Sequence, residues 1–232
     1  MVYDFSPSRA GEHARNFLGQ WSGKLVCDDF AGYKAGFEKG ITEIGCMAHA
    51  RRKFFDLHVA NKSELAEQAL YSIGGLYEVE RQARNMIDED RWRIRQDKAA
   101  PIIKTLHDWM STPRALVPNG SATAKALDYS LKRWVALTRY LEDGAVPIDN
   151  NPVENQIRPW ALGRSNWLFA GSLRSGKRAA AIMSLIQSAR MNGHDPYAYL
   201  KDVLTRLPTQ RASEIDQLLP HRWTTSPPML EV

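Results

Sequence analysis

The sequence predicts an α/β protein whose sheet-forming segments are interrupted by a large all-helical insertion. Three observations predict it. Strand and helix signals alternate through the first fifty residues, strand signals vanish from His49 to Leu141, and the chain resets after Gly144 with an Asp-Asn-Asn-Pro helix start.

Residues 2–5 form a short β-prone run closed by Ser6-Pro7-Ser8. Across residues 9–21, Ala10, Ala14, Phe17, Leu18 and Trp21 recur at helical spacing. Lys24-Leu25-Val26-Cys27 reads as a buried strand ending at Asp28-Asp29. A short helix over 33–38 stops at Gly40, and residues 41–47 read as the next strand. The insertion then offers helices near 49–60, 63–98, 101–111 and 121–141, punctuated by Pro101, Pro113 and Pro118-Asn119-Gly120. Leu65, Ala69, Ile73, Leu76, Val79 and Ala83 mark its apolar face. Beyond it, Asn151 reads as an N-cap with Pro152 at the first helical position. Residues 163–176 read as a polar, aromatic-bearing connection. A helix over 177–192 ends at Gly193, where Ala179, Ala180, Ala181, Ser184 and Ser188 allow close neighbours, and Asp195-Pro196 starts another that Pro208 stops. The predicted division is a core segment 1–48, a helical insertion 49–145, a second core segment 146–207 and a loosely held tail 208–232.

Composition narrows the function. Of the 232 residues 44% are hydrophobic and 25% charged, as in ordinary globular proteins. The sequence has neither the roughly 20 consecutive apolar residues of a bilayer span nor a signal-peptide pattern, and two cysteines, Cys27 and Cys46, suit a reducing compartment. The expectation is a cytoplasmic protein with no membrane partner. Net charge is +5, but from Glu154 to Arg211 nine Lys/Arg face three acids, which places any polyanion-facing surface there. Charge alone leaves a solvated basic face equally open.

Two carboxylates stand out by position. Asp28 follows a buried strand, where open α/β sheets place ligand-binding groups, and Glu154 sits in the first turn of the helix after the insertion. Carboxylates from separate elements are what Mg²⁺-assisted phosphodiester chemistry needs. Each also has a plain structural reading, Asp28 as turn chemistry and Glu154 as the reciprocal acid of a capping box on Asn151. Cys46 and His49 have a zinc-like spacing without a second pair, so the expected role is local, with His49 anchoring the strand end and Cys46 buried. Gly171 to Lys177 nearly spells a phosphate loop, but Arg178 stands where Ser or Thr is required. Arg174, Lys177 and Arg178 at a helix N-terminus remain candidate contacts to a DNA backbone. Arg51, Arg52 and Lys53, together with Trp160, Arg164, Trp167 and Phe169, interleave basic and aromatic groups as unstacked DNA ends require. For Trp160 a core role is favoured; for Trp167 both readings stand.

Three blocks carry a family resemblance: residues 3–9 with 23–33, residues 46–54 (Cys-Met-Ala-His-Ala-Arg-Arg-Lys-Phe), and residues 148–172 with Ile-Asp-Asn-Asn-Pro-Val-Glu at their head. Together they resemble the transposases of the IS66 insertion-sequence family over about residues 2–206. The resemblance implies an RNase H-like catalytic core interrupted by helices. Asp28 and Glu154 match the second and third acids of a DDE triad, holding Mg²⁺ or Mn²⁺, and Cys46 and His49 match the family's C-x-x-H signature. It further implies DNA partners (transposon ends and target), other transposase subunits or an upstream chain, and a bacterial, nucleoid-associated location. Arg158 and the basic residues above become DNA contacts. In the family the first acid lies on a strand well before the block that here begins at Tyr3, so the expectation is an incomplete core lacking its first two strands and inactive alone. The alternative is a non-catalytic fragment that binds DNA or a partner and modulates a full-length enzyme.

Overall fold

The computed structural model describes residues 1–167 and 170–224, with the backbone alone at 164–167. It is rich in helix. In chain order come α1 (Gly11–Leu18), β1 (Gly23–Cys27), α2 (Lys34–Phe37), β2 (Ile41–Gly45), α3 (Met47–Asn61), α4 (Glu64–Gln82), α5 (Asp88–Ile94), α6 (Ala100–Leu116), α7 (Ala122–Lys132), α8 (Trp134–Thr138), α9 (Asn151–Trp167), α10 (Leu173–Met191) and α11 (Pro196–Arg206). Among the described residues no helix is long and apolar enough to cross a membrane. The chain divides into two compact units, one continuous over 14–155 and one assembled from 1–13 and 156–224.

In the continuous unit β1 and β2 pair in parallel, Gly23 opposite Ile41 and Cys27 opposite Gly45, so both strands finish at the same sheet edge. Gly45 lets β2 approach α8, because a Cβ there would sit 3.0 Å from the Leu137 amide nitrogen. The helices follow their apolar spacing. Met47, Ala50, Phe54 and Leu57 line one stripe of α3, and Ala66, Ala69, Ile73, Leu76 and Val79 line one stripe of α4. Both stripes enter one core with Leu106, Leu127, Leu137 and Tyr140. Ser63 and Ser121 cap α4 and α7 by accepting from Ala66 N and Ala124 N at 3.2 and 3.0 Å. The helical run expected over 63–98 breaks after Gln82. It resumes as α5 and then widens into one π turn over Arg95–Ala99. Arg95 is 1% exposed, and its guanidinium holds both oxygens of Glu80 and the Tyr140 and Asp143 carbonyls.

In the other unit the expected strand at residues 2–5 is absent. The Tyr3 amide donates to Ser184 Oγ at 2.8 Å instead of joining a ladder, and the Tyr3 hydroxyl donates to the Gln156 carbonyl. The small residues of α10 therefore receive this segment, as their size allows. The connection expected over 163–176 is also shorter, since α9 continues to Trp167 and α10 already starts at Leu173 under a Ser172 cap. That removes the phosphate-loop reading. Gly176 is a buried helical residue, and a Cβ on it would overlap the Phe5 ring. We expect Gly176→Ala to destabilise this unit by about 1–3 kcal/mol, read as a lowered Tm that Phe5→Leu partly restores. An unchanged Tm would show that Phe5 does not pack there.

Asp195 caps α11 through Ala198 N at 2.8 Å, with Pro196 first in the helix as predicted. The tail departs from expectation up to residue 224. Leu218 and Trp223 pack with Tyr199, Val203 and Ala189, the Tyr199 hydroxyl donates to Leu218 O at 2.7 Å, and Trp223 Nε1 donates to Asp202 at 2.7 Å. Two large aromatic faces suffice to fix the segment. Residues 225–232 lie outside the described residues.

Candidate functional site

β1 and β2 deliver their next residues, Asp28 and Cys46, to the same sheet edge. Asp28 makes the turn that its sequence neighbours suggest: its Oδ1 accepts from Phe30 N at 3.1 Å, and the carboxyl stays half-buried. Arg133, at the end of α7, grips the same turn. Its guanidinium donates to the Asp28 carbonyl at 3.3 Å, lies 3.5 Å from Asp29 Oδ1 and pairs with Glu43 on β2. Sequence reading missed Arg133. It sits in a run read only as helical, 105 positions from Asp28, and no local signal marks it.

Cys46 is fully buried and ties three segments together. Its amide donates to the Cys27 carbonyl at 3.1 Å, immediately before Asp28. Its thiol donates to Asn150 Oδ1 at 3.0 Å. Met47 N donates to Ile148 O at 3.1 Å, so the start of α3 is stitched to the segment leading into α9. Three residues on, His49 Nε2 lies 3.4 Å from Glu154 Oε1. Cys46 is thus buried at the strand end, while the His49 ring lies beside Glu154. His49 Nδ1 is buried without a hydrogen-bond partner among the described residues. Among the described residues no group of three His, Cys, Asp or Glu is arranged to hold a metal ion, so the zinc reading gains nothing. Burial, and then the Glu43 carboxylate, push the Cys27 thiol up to about 12, and burial likewise raises Cys46. Neither is a nucleophile at neutral pH.

The N-terminus of α9 is built differently from its prediction. The Asn150 carbonyl accepts from Val153 N and Glu154 N, so Asn150 rather than Asn151 occupies the capping position. Asn151 is drawn away by the buried Asp149, whose carboxylate accepts its amide at 3.0 Å and its side chain at 2.8 Å. The Tyr77 hydroxyl donates to the same carboxylate at 2.6 Å, and burial with that bond pushes the phenol well above its ordinary range. Glu154 is thereby released from a capping box with Asn151. Its side chain is about a third exposed, beside His49.

The predicted nucleic-acid residues fall into two sets. Arg51, Arg52 and Lys53 are exposed on α3, Lys53 with its ammonium 5.6 Å from the Tyr129 ring centre. Arg158 on α9 and Arg174, Lys177 and Arg178 in the first turns of α10 are exposed in the other unit, and Trp160 there is half-buried. The side chains of Arg164 and Trp167, and Phe169 entirely, lie outside the described residues.

A half-buried acid at a parallel strand end and a second acid in the first turn of a helix are joined through a Cys-x-x-His turn, in a helix-rich α/β unit. Residues 1–178 match the family described as Transposase IS66 family, and residues 184–221 match the IS66 C-terminal element. The chain belongs to the IS66 transposase family. It is 36% identical over 239 residues to the uncharacterized protein y4hP of Sinorhizobium fredii (strain NBRC 101917 / NGR234), covering 96% of this chain and 43% of the relative. The uncharacterized proteins y4qI and y4jD of the same organism are 36% and 34% identical, over 98% and 95% of this chain and 43% and 45% of their own lengths. The chain thus spans less than half the length of these curated relatives. No solved structure matches it.

Proposed function

We propose that this chain is the C-terminal part of a DDE transposase with an RNase H-like core, in which Asp28 and Glu154 are the second and third metal-binding acids. The observation that carries the reading is the Cys46–His49 turn. One four-residue segment bonds the carbonyl just before Asp28 and contacts the Glu154 carboxylate, although the two acids are far apart in sequence. The donors suit Mg²⁺ or Mn²⁺, hard cations commonly held by one or two carboxylates with water and substrate phosphate completing the shell. Held by Asp28 and Glu154, such an ion would supply the Lewis acidity needed to activate a water or 3′-hydroxyl and to stabilise the leaving oxygen of a phosphodiester.

The protein's own residues prepare that site. The Phe30 amide and Arg133 hold the Asp28 turn, and His49 lies beside the Glu154 carboxylate, where it can help to position it. β1 has no second strand partner among the described residues, and we assign its open edge to a further strand bearing the first acid, carried in the additional length that the relatives possess. On this reading residues 1–48 and 146–207 contribute to the core, residues 49–145 are its helical insertion, and the exposed basic residues of both units contact DNA.

Titration of the 232-residue chain with Mn²⁺, followed by electron paramagnetic resonance, tests the reading. Binding at millimolar Mn²⁺ should weaken at least tenfold in both Asp28→Asn and Glu154→Gln. If the chain binds no Mn²⁺, or if both variants bind as the parent does, these acids are not metal ligands. Should DNA raise the Tm while Mn²⁺ leaves it unchanged, the chain is better read as a DNA-binding element.

A further inference from the structure

Within the continuous unit, α3, α4 and the start of α9 line a cleft of about 500 Å³, in the range of small-ligand sites, about 300–1,000 Å³. Its walls include Arg51, Arg52 and Phe55 from α3, Gly74 and Tyr77 from α4, and Asn151. Neither Arg51 nor Arg52 has an ion-pair partner among the described residues, while Arg81, also in the wall, is anchored by Glu78. Phe55 leaves 46% of its surface exposed, on the same helix as the two arginines. Cations together with an open aromatic face match the phosphate and base of a nucleotide out of its stack.

Gly74 supplies an independent observation. Glycine weakens a helix interior, and α4 carries two in succession. Gly75 has a packing reason, since a Cβ there would sit 3.2 Å from Ile102 Cδ1. A Cβ on Gly74 would meet nothing within 4 Å. Among the described residues no neighbour requires this glycine, and its missing side chain leaves that part of the wall open.

We propose that this cleft receives one unpaired nucleotide of the DNA strand, with Arg51 and Arg52 on its phosphate and Phe55 against its base. Two of its lining residues also support the segment that leads into Glu154. Tyr77 and Asn151 both donate to Asp149, five residues before Glu154. The proposal rests on the transposase reading for the identity of the polymer, but not on metal binding.

The test measures binding of fluorescein-labelled DNA by anisotropy in EDTA, comparing a blunt duplex with the same duplex bearing a short single-stranded overhang. The parent chain should prefer the overhang duplex about fivefold or more, as a stacked base implies. Gly74→Leu fills the cleft without touching a charge and should abolish that preference, leaving blunt-duplex affinity within about twofold. Phe55→Leu should do the same, and it decides the matter if Gly74→Leu does not fold. Gly74→Ala should keep the parent's Tm or raise it. A parent without the preference, or a folded Gly74→Leu or Phe55→Leu variant that retains it, overturns the proposal. A failure of the metal titration with the overhang preference intact sinks the catalytic reading alone, and the reverse pattern sinks this one alone.

Discussion

Arg95→Leu is expected to destabilise the unit of residues 14–155 by about 3–5 kcal/mol, the cost of leaving a buried carboxylate without its cation. The guanidinium lies over the Tyr140 ring, 5.0 Å from its centre, and donates to Glu80 and to two backbone carbonyls. Removing it leaves the Glu80 acid, at 18% side-chain exposure, without its cation and the Tyr140 carbonyl without this donor. At about 2–4 °C per kcal/mol for a unit of this size, the Tm should fall by roughly 6–20 °C. The double variant Glu80→Leu with Arg95→Leu should recover most of the loss, because a well-packed apolar pair often matches a buried ion pair in stability. A single variant within about 1 kcal/mol of the parent would mean that solvent reaches the Glu80 carboxylate.

Arg133→Met should act on both stability and the site. Arg133 is 9% exposed and serves Glu43, Asp29, the Asp28 carbonyl and the Tyr129 hydroxyl. Its loss should destabilise the unit by about 3 kcal/mol, since Glu43 is then left without its cation. It should also weaken Mn²⁺ binding about 10–100-fold, as supports behind a metal ligand do. Two further readouts distinguish positioning from general damage. Blunt-duplex binding in EDTA should stay at the parent's level, and Arg133→Lys should not rescue Mn²⁺ affinity, because an ammonium lacks the planar fork that spans several oxygens. Mn²⁺ affinity unchanged in a folded Arg133→Met chain would remove Arg133 from the site.

The legible parts of the fold are those governed by neighbours in sequence. Ser63, Ser121 and the Asp195-Pro196 pair announce their helices, and the apolar stripe of α4 needs only its own 3.6-residue period. Strands β1 and β2 were equally readable. Residues 2–5 were not, because β-propensity describes a side chain's fit to a pleated surface, and the partner that takes Tyr3 here is a helix hydroxyl 181 positions away. The same distance argument covers Asn151, diverted by an aspartate that Tyr77 helps to hold. At the candidate site, residue chemistry offered turn and cap readings for the two acids, and only the family resemblance preferred them as a pair. The turn at Asp28 and the exposed acid at Glu154 show why: one oxygen of Asp28 is used locally, and the contacts joining the two acids run through Cys46 and His49 rather than between them.

The contact of Tyr3 with Ser184 also bears on how the chain is made. Ribosomes add roughly 5–20 residues per second. A nascent chain that has just exposed Tyr3 must therefore wait on the order of ten seconds or more before α10 emerges to meet it. Residues 14–155 can finish collapsing during that interval. Until then Phe5 and its neighbours have no permanent partner, and that interval is when a chaperone has access to them.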